Sequence, residues 1–178
     1  MTIELRHWRA EDAPALAEAI RHSLDHLRPW MPWAEHEPTP VPELAERIRG
    51  WEAECRAGGD EYLGVWLGSG PVGSCGLHRR IGPGGVEIGY WIHVAHLRRG
   101  FATEVVRQLC ARAFADPAID RVEIHHDRAN AASGGVPVKL GFEHVADTPR
   151  PPEAPAEEGV ERMWRLTRAA YERRPARS

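Results

Sequence analysis

The chain is poor in cysteine, with three among 178 residues. Cys55, Cys75 and Cys110 are odd in number and widely spaced, which excludes a disulfide-framed scaffold and points to free thiols in the cytoplasm. No apolar run approaches the length that crosses a bilayer, and the first six residues lack the apolar core of a secretion signal. An excess of positive charge is also missing. The net charge is −3, and no basic-aromatic pattern recurs, so a nucleic-acid partner is not expected. No internal repeat is present. Histidines are plentiful, and they pair as His22/His26, His93/His96 and His125/His126. No cysteine or carboxylate completes a familiar ligand spacing around these pairs, so no metal is expected.

What is there is the size of one domain with a single core. Residues 3–8 alternate apolar and polar, as a half-buried strand does. Glu11, Asp12 and Pro14 suit the first turn of a helix, and Leu16, Ile20, Leu24 and Leu27 keep helical spacing after them. Five prolines between 29 and 42 mark an irregular connection that holds Trp30, Met31 and Trp33. A second helix is predicted over 42–56, with Leu44, Ile48 and Trp51 inward and Gly58-Gly59-Asp60 ending it. Strands follow at 61–67, 72–79 and 86–94, joined by glycine- and proline-bearing turns. A helix over 100–114, a strand at 121–127, a short helix at 131–140 and a strand at 142–146 come next. Residues 148–159, rich in proline and glutamate, read as a loop or mobile segment, and 160–167 as a last strand. The tail 169–178 is basic, with a disordered end expected.

Short turns make the three middle strands antiparallel, whereas the helix between strands 86–94 and 121–127 favours a parallel pair. The fold class is therefore α/β, a mixed, largely antiparallel central sheet with helices on both faces.

The most informative stretch is where an apolar strand runs into Arg98-Arg99-Gly100-Phe101-Ala102-Thr103 and a helix begins. Glycine permits a tight turn and close approach of a ligand, and the first helix amides have no partner within the helix. With two arginines beside them, these amides form a cradle suited to a pyrophosphate.

These residues resemble the GNAT acyl-CoA N-acyltransferases, whose pyrophosphate motif is Gln/Arg-x-x-Gly-x-Gly/Ala. The matching segment is Leu97-Arg-Arg-Gly100-Phe-Ala102, which departs only at Leu97. Glu87-Ile-Gly-Tyr-Trp-Ile, Asn130-Ala-Ala-Ser133 with Lys139-Leu-Gly-Phe142, and Val160-Glu-Arg-Met-Trp-Arg-Leu resemble the branch that acetylates ribosomal-protein N-termini, as does Leu27-Arg-Pro-Trp30-Met-Pro-Trp33. The resemblance runs from about residue 3 to 167, in order, and implies one GNAT domain over 1–168. Gly134-Gly135-Val-Pro137 departs from it. The family carries helix formers there, so the helix is expected to start late, with Ser133 as its cap, or to be distorted.

The resemblance implies acetyl-CoA as donor and an amine as acceptor. Arg98, Arg99, Gly100, Phe101, Ala102 and Thr103 are the candidates for the diphosphate, Asn130 for the pantetheine, and an amide within Ile92, His93 and Val94 for the thioester carbonyl. Glu87 is the candidate base, against a purely organising role. Ser133 is the candidate proton donor to the leaving thiolate, against a helix cap. Arg98 and Arg99 are alternatively solvated, and Asn130 alternatively a turn residue. Trp30, Trp33 and His26 are the candidates for the acceptor pocket, with core packing the alternative for the tryptophans. Glu35, Glu37, Glu157 and Glu158 are acids that would attract a cationic amine. The implied acceptor is a protein or peptide α-amine. A small amine such as an antibiotic or polyamine, or a CoA-binding sensor without turnover, is the alternative. A monomer or homodimer is expected.

Overall fold

The computed structural model describes residues 2–173. In chain order the elements are β1 (Glu4–His7), α1 (Ala13–Leu27), α2 (Val41–Arg56), β2 (Glu61–Leu67), β3 (Gly70–His78), β4 (Gly85–Ile92), α3 (Phe101–Phe114), β5 (Arg121–Asp127), α4 (Ala131–Lys139), β6 (Glu143–Pro149), β7 (Val160–Thr167) and α5 (Arg168–Glu172). The seven strands form one sheet in the order β1-β2-β3-β4-β5-β7-β6. Every pair is antiparallel except β4–β5, which is parallel, as the intervening helix α3 requires.

Two apolar clusters occupy opposite faces of the sheet. On one face, Val105, Val106, Leu109 and Cys110 of α3 pack on Leu63, Val65, Cys75, Leu77, Ile88 and Val122. On the other, Leu16, Ile20, Leu24 and Leu27 of α1 and Leu44 and Ile48 of α2 pack with Trp8, Trp66 and Trp91. Each fully buried leucine or isoleucine of these stripes contributes roughly 1.5–3 kcal/mol by leaving water. Trp51, expected inward, is half-buried and stacks on Tyr62 with ring centroids 4.7 Å apart. Cys75 and Cys110 are buried and Cys55 is half-buried, and all three thiols are free.

The structure corrects several boundaries. β4 ends at Ile92, because the ring Nδ1 of His93 accepts the Ala95 amide at 3.1 Å and starts a 3-10 turn over Val94–His96. β6 continues to Pro149, which pairs with Val160. The tail does not begin at 169: Thr167 Oγ1 accepts the Ala170 amide and caps α5, and Tyr171 packs on Phe114 at 4.7 Å. The disorder expected at the end of the tail falls on residues 174–178, outside the described residues. The stretch 150–159 is a loop, as expected, but it is pinned. Glu157 accepts the amides of Glu153 and Ala154, and the Ala156 amide donates to Pro29 O at 3.0 Å. No helix of the described residues is long and apolar enough to cross a membrane.

Candidate active site

β4 and β5 pair only from Gly85↔Arg121 to Glu87↔Glu123 and then separate. The His93 amide bonds Val72 O across the β3–β4 ladder at 2.9 Å. Main-chain groups alternate in direction along a strand, so the Ile88 carbonyl and the main-chain groups of Tyr90 and Ile92 face the gap that β5 leaves. A cavity of about 850 Å³ opens at this gap. Asn130 and Ser133 of α4 line it from one side of the sheet. Glu87 and Trp91, together with Trp30, Trp33 and Trp51 from the helical layer, line it from the other.

The cradle is built from backbone. Gly100 is the N-cap of α3 with φ +82°, and no side chain caps the helix. The first bond within α3 runs from Glu104 N to Gly100 O at 3.1 Å, so the amides of Phe101, Ala102 and Thr103 precede it. A Cβ on Gly100 would meet nothing within 4 Å, so the turn at the start of α3 borders open space. Arg98 also has positive φ, at 57°, which tilts the turn and stores about 1–3 kcal/mol of backbone strain. Arg98 and Arg99 are exposed beside the cradle, and Arg99 donates to His96 Nδ1 at 3.0 Å. Burial, and then the charge of Arg99, hold His96 below the ordinary histidine pKa. Leu97, where the motif departs, packs against the α3-side core instead of reaching for phosphate.

Two of the three amides expected at the thioester carbonyl are already engaged. His93 N–H is spent on Val72 O, and Val94 N–H on Ser23 Oγ at 3.2 Å. Ile92 alone of the three has main-chain groups directed at the gap.

α4 neither starts late nor breaks. Asn130 is its N-cap, and its Oδ1 accepts the Ser133 amide at 3.2 Å. Asn130 therefore takes the capping role expected of Ser133, which sits inside the first turn. Pro137 lies within the helix and cannot donate to the carbonyl four residues back, which belongs to Ser133. The Tyr90 hydroxyl donates to that Ser133 carbonyl, at a long 3.4 Å.

Glu87 is buried, and both its oxygens are held by Arg80, at 2.8 Å to Nε and 2.6 Å to Nη2. Burial pushes its carboxyl upward, but the Arg80 guanidinium outweighs this and its pKa falls below the usual value. Trp33 is 6.3 Å from Trp91, centroid to centroid, at the cavity wall. His26 is exposed on α1 and is not part of the cavity lining. Of the four acids proposed to attract an amine, three have structural partners. Glu37 is buried and accepts from Thr39 and Arg47, Glu157 holds Arg150, and Glu158 pairs with Arg128.

The model of the acetyltransferase (GNAT) domain matches residues 2–143. The chain belongs to the GNAT acetyltransferase family. It is 28% identical over 146 residues to YdaF of Bacillus subtilis (strain 168), which is named as a ribosomal N-acetyltransferase, covering 79% of this chain and 77% of that one. RimL, a ribosomal L7/L12 α-N-protein acetyltransferase solved with coenzyme A, superposes with a TM-score of 0.86 at 19% identity over 96% of both chains. An acetyltransferase from Salmonella typhimurium, described as modifying the N-terminal serine of L7/L12, gives 0.80 at 18% identity over 94% of this chain and 95% of that one.

This GNAT enzyme carries polar groups at the gap that motif reading passed over. Glu87 pairs across β3 with His78 and across to β5 with Glu123, and His125 lies two residues further along the same face. His78 and His125 both line the cavity. By sequence alone His125 stands out only as half of the pair His125/His126. The period-two spacing of Glu123, His125 and Asp127 was the signal that one face carries them all. A different trio, His7, Cys55 and Glu61, brings possible metal ligands within 4.8 Å of one another, but Arg112 already bonds His7 Nε2 at 2.9 Å and Glu61 at 2.7 Å.

Proposed function

We propose that this acetyltransferase moves the acetyl group of acetyl-CoA to the α-amine of a protein or peptide N-terminus, in the cytoplasm. One observation carries the reading: the cavity at the β4–β5 gap draws its lining from both faces of the sheet, so a donor from the α3–α4 side and an acceptor from the α1–α2 side meet there. The names of YdaF and RimL support the choice of a protein amine over a small one. The cavity lies in the size range of ligand sites, and its tryptophan wall suits a peptide end.

Acetyl-CoA supplies the activated acyl thioester. The amides of Phe101, Ala102 and Thr103, with Arg98 and Arg99, hold its diphosphate. The backbone edge of Ile88, Tyr90 and Ile92 pairs with the amides of the pantetheine arm, and Asn130 closes that channel. Ile92 N–H meets the carbonyl oxygen as charge develops there. Ser133 gives its hydroxyl proton to the departing sulfur and is reprotonated from water.

Incubation with acetyl-CoA and hexapeptides beginning Ser, Ala or Met, alongside spermidine and kanamycin, tests the reading. Thiol release should accompany the mass of one acetyl group on a peptide N-terminus. Acetylation of the small amines alone would move the assignment to them. CoA binding with no amine-dependent thiol release would make the chain a sensor.

A further inference from the structure

The proton that the acceptor amine must lose needs a receiver on the α1–α2 side of the gap. Glu87 is poorly placed to be that group, since both oxygens lie in the Arg80 fork. His78 stands directly across from it on β3. Its Nδ1 is 2.7 Å from Asp60 Oδ2, and Asp60 Oδ1 accepts the Arg79 amide at 2.7 Å. Burial pushes the Asp60 carboxyl upward, but the Arg79 amide and the His78 ring outweigh it, so the group is held as a carboxylate. A carboxylate only accepts, so Nδ1 carries the hydrogen, and the neutral ring has its lone pair on Nε2.

That lone-pair edge overhangs two glycines. A Cβ on Gly89 would stand 3.1 Å from Nε2, and one on Gly76 3.2 Å from it. The ring thus fills space that β3 and β4 leave by lacking side chains, over the part of β4 that β5 has left. Tyr62 holds the ring edge-on with centroids 5.3 Å apart, and Trp51 stacks behind Tyr62. His125 is differently engaged. Its Nε2 is 2.8 Å from Glu123, its Nδ1 is 3.7 Å from Glu161, and so both ring nitrogens face carboxylates.

We propose that His78, oriented by Asp60, is the base that takes the proton from the acceptor amine, while Glu87 stays ion-paired beside it. This rests on the acetyl-transfer reading. The ammonium of the acceptor gives one proton to His78 Nε2, directly or through one water. The freed nitrogen pair forms the C–N bond, and the C–S bond breaks as Ser133 protonates the sulfur. The nitrogen then sheds its second proton to water, Ser133 regains one from water, and His78 passes its proton to solvent, so one proton is released overall. The charged and titratable groups around His78 are Asp60 and Tyr62 at the start of β2, Glu54 of α2, Arg80 and Glu87 of the β3–β4 hairpin, and His125 of β5.

Four variants and one spectrum test this with a hexapeptide beginning Ser as acceptor. H78Q should lower kcat by roughly 10²-fold or more while the CoA Kd from calorimetry is unchanged. H78A should regain turnover when imidazole is added, which a structural role would not produce. E87Q should keep the acidic limb of the kcat–pH profile, and H78Q should lose it. D60N should lower kcat without abolishing the limb. In the free wild-type protein, histidine ¹⁵N NMR should report His78 as the Nδ1–H tautomer, a readout that stands even if H78Q does not fold. The proposal is overturned by an Nε2–H tautomer, by H78Q turnover near wild type, or by a limb that vanishes in E87Q. If the wild type itself acetylates no amine, the acetyl-transfer reading and this proposal fall together. If it does and H78Q matches it, only the base assignment falls.

Discussion

Asp127 offers the sharpest test of how the gap is held open. It is buried at the end of β5, and it accepts four backbone amides: Ala129 at 2.9 Å and Glu158 at 3.2 Å on Oδ1, Gly159 at 3.0 Å and Val160 at 3.2 Å on Oδ2. One carboxylate thereby ties the end of β5 to the loop 150–159, which in turn bonds Pro29 and walls the cavity. In D127N one oxygen still accepts two amides, but an NH₂ faces the other two. Two half-buried or exposed donors lose their acceptor, at no more than about 1–3 kcal/mol each, for a loss of at most roughly 2–6 kcal/mol. For a chain of this length that lowers Tm by at most roughly 5–20 °C. Calorimetry reads the stability, and amide exchange at Gly159 and Val160 should quicken first. The peptide KM should rise while the CoA Kd holds, because the loop walls the cavity away from the α3 cradle. Burial alone would raise the Asp127 carboxyl, but the four amides lower it below its ordinary value. Its stabilisation is therefore complete above about pH 4 and is lost as pH falls through the depressed folded value. The gap in Tm between wild type and D127N should accordingly narrow in acid. A Tm change below about 2 °C, or unchanged exchange at Gly159 and Val160, would refute the reasoning.

Three further outcomes follow from the site. G100A places an L residue at φ +82°, which costs roughly 1–2 kcal/mol and reshapes the turn that leads into the α3 amides; calorimetry should show CoA affinity down tenfold or more, against a Tm fall of only a few degrees. W33A should raise the peptide KM at constant CoA Kd, whereas H26A should leave steady-state kinetics unchanged, since Trp33 lines the cavity and His26 does not. P137A restores an amide that can reach the Ser133 carbonyl, so Y90F should cost less in that background, with a coupling of about 0.5–1.5 kcal/mol in urea unfolding.

Much of the fold was legible because its signals are local. Helical spacing of Leu16, Ile20, Leu24 and Leu27, glycine turns between strands, and an intervening α3 dictating a parallel β4–β5 pair all act within short windows. The turn proposed to hold the diphosphate was legible as a helix start for the same reason, as one continuous segment ending a strand and starting a helix. The acceptor side was not, because it is assembled across strands. Asp60 and His78 are 18 residues apart and Glu123 lies on a different strand from Glu87, so only register brings them together. His26 was misplaced by the same limit: helical spacing sets which residues share a face but not which face meets the cavity. The β4 boundary failed because a histidine ring, not a backbone preference, ends the strand.

Two of the three residues least suited to a helix, Gly134 and Pro137, show why α4 survives them. Gly134 carries no side chain because His126 occupies that space, its Cε1 standing 3.2 Å from where a Cβ would be. His126 is fixed there by donating from Nδ1 to Asp127 O at 2.7 Å and accepting Trp164 Nε1 at 2.9 Å. The accepting role requires an unprotonated Nε2, in keeping with the burial that lowers this ring's pKa. An alanine at 134 would make the ring give by a few tenths of an ångström, against the two hydrogen bonds that hold it. Pro137 forgoes one helical bond, and the carbonyl it leaves is the one Tyr90 reaches. Ser133 is thus held from both ends, its amide by Asn130 and its carbonyl by Tyr90 of the very strand that flanks the gap. Helix propensity is sacrificed at both positions to couple α4 to β4 and β5, which fixes Ser133 relative to the two strands that border the cavity.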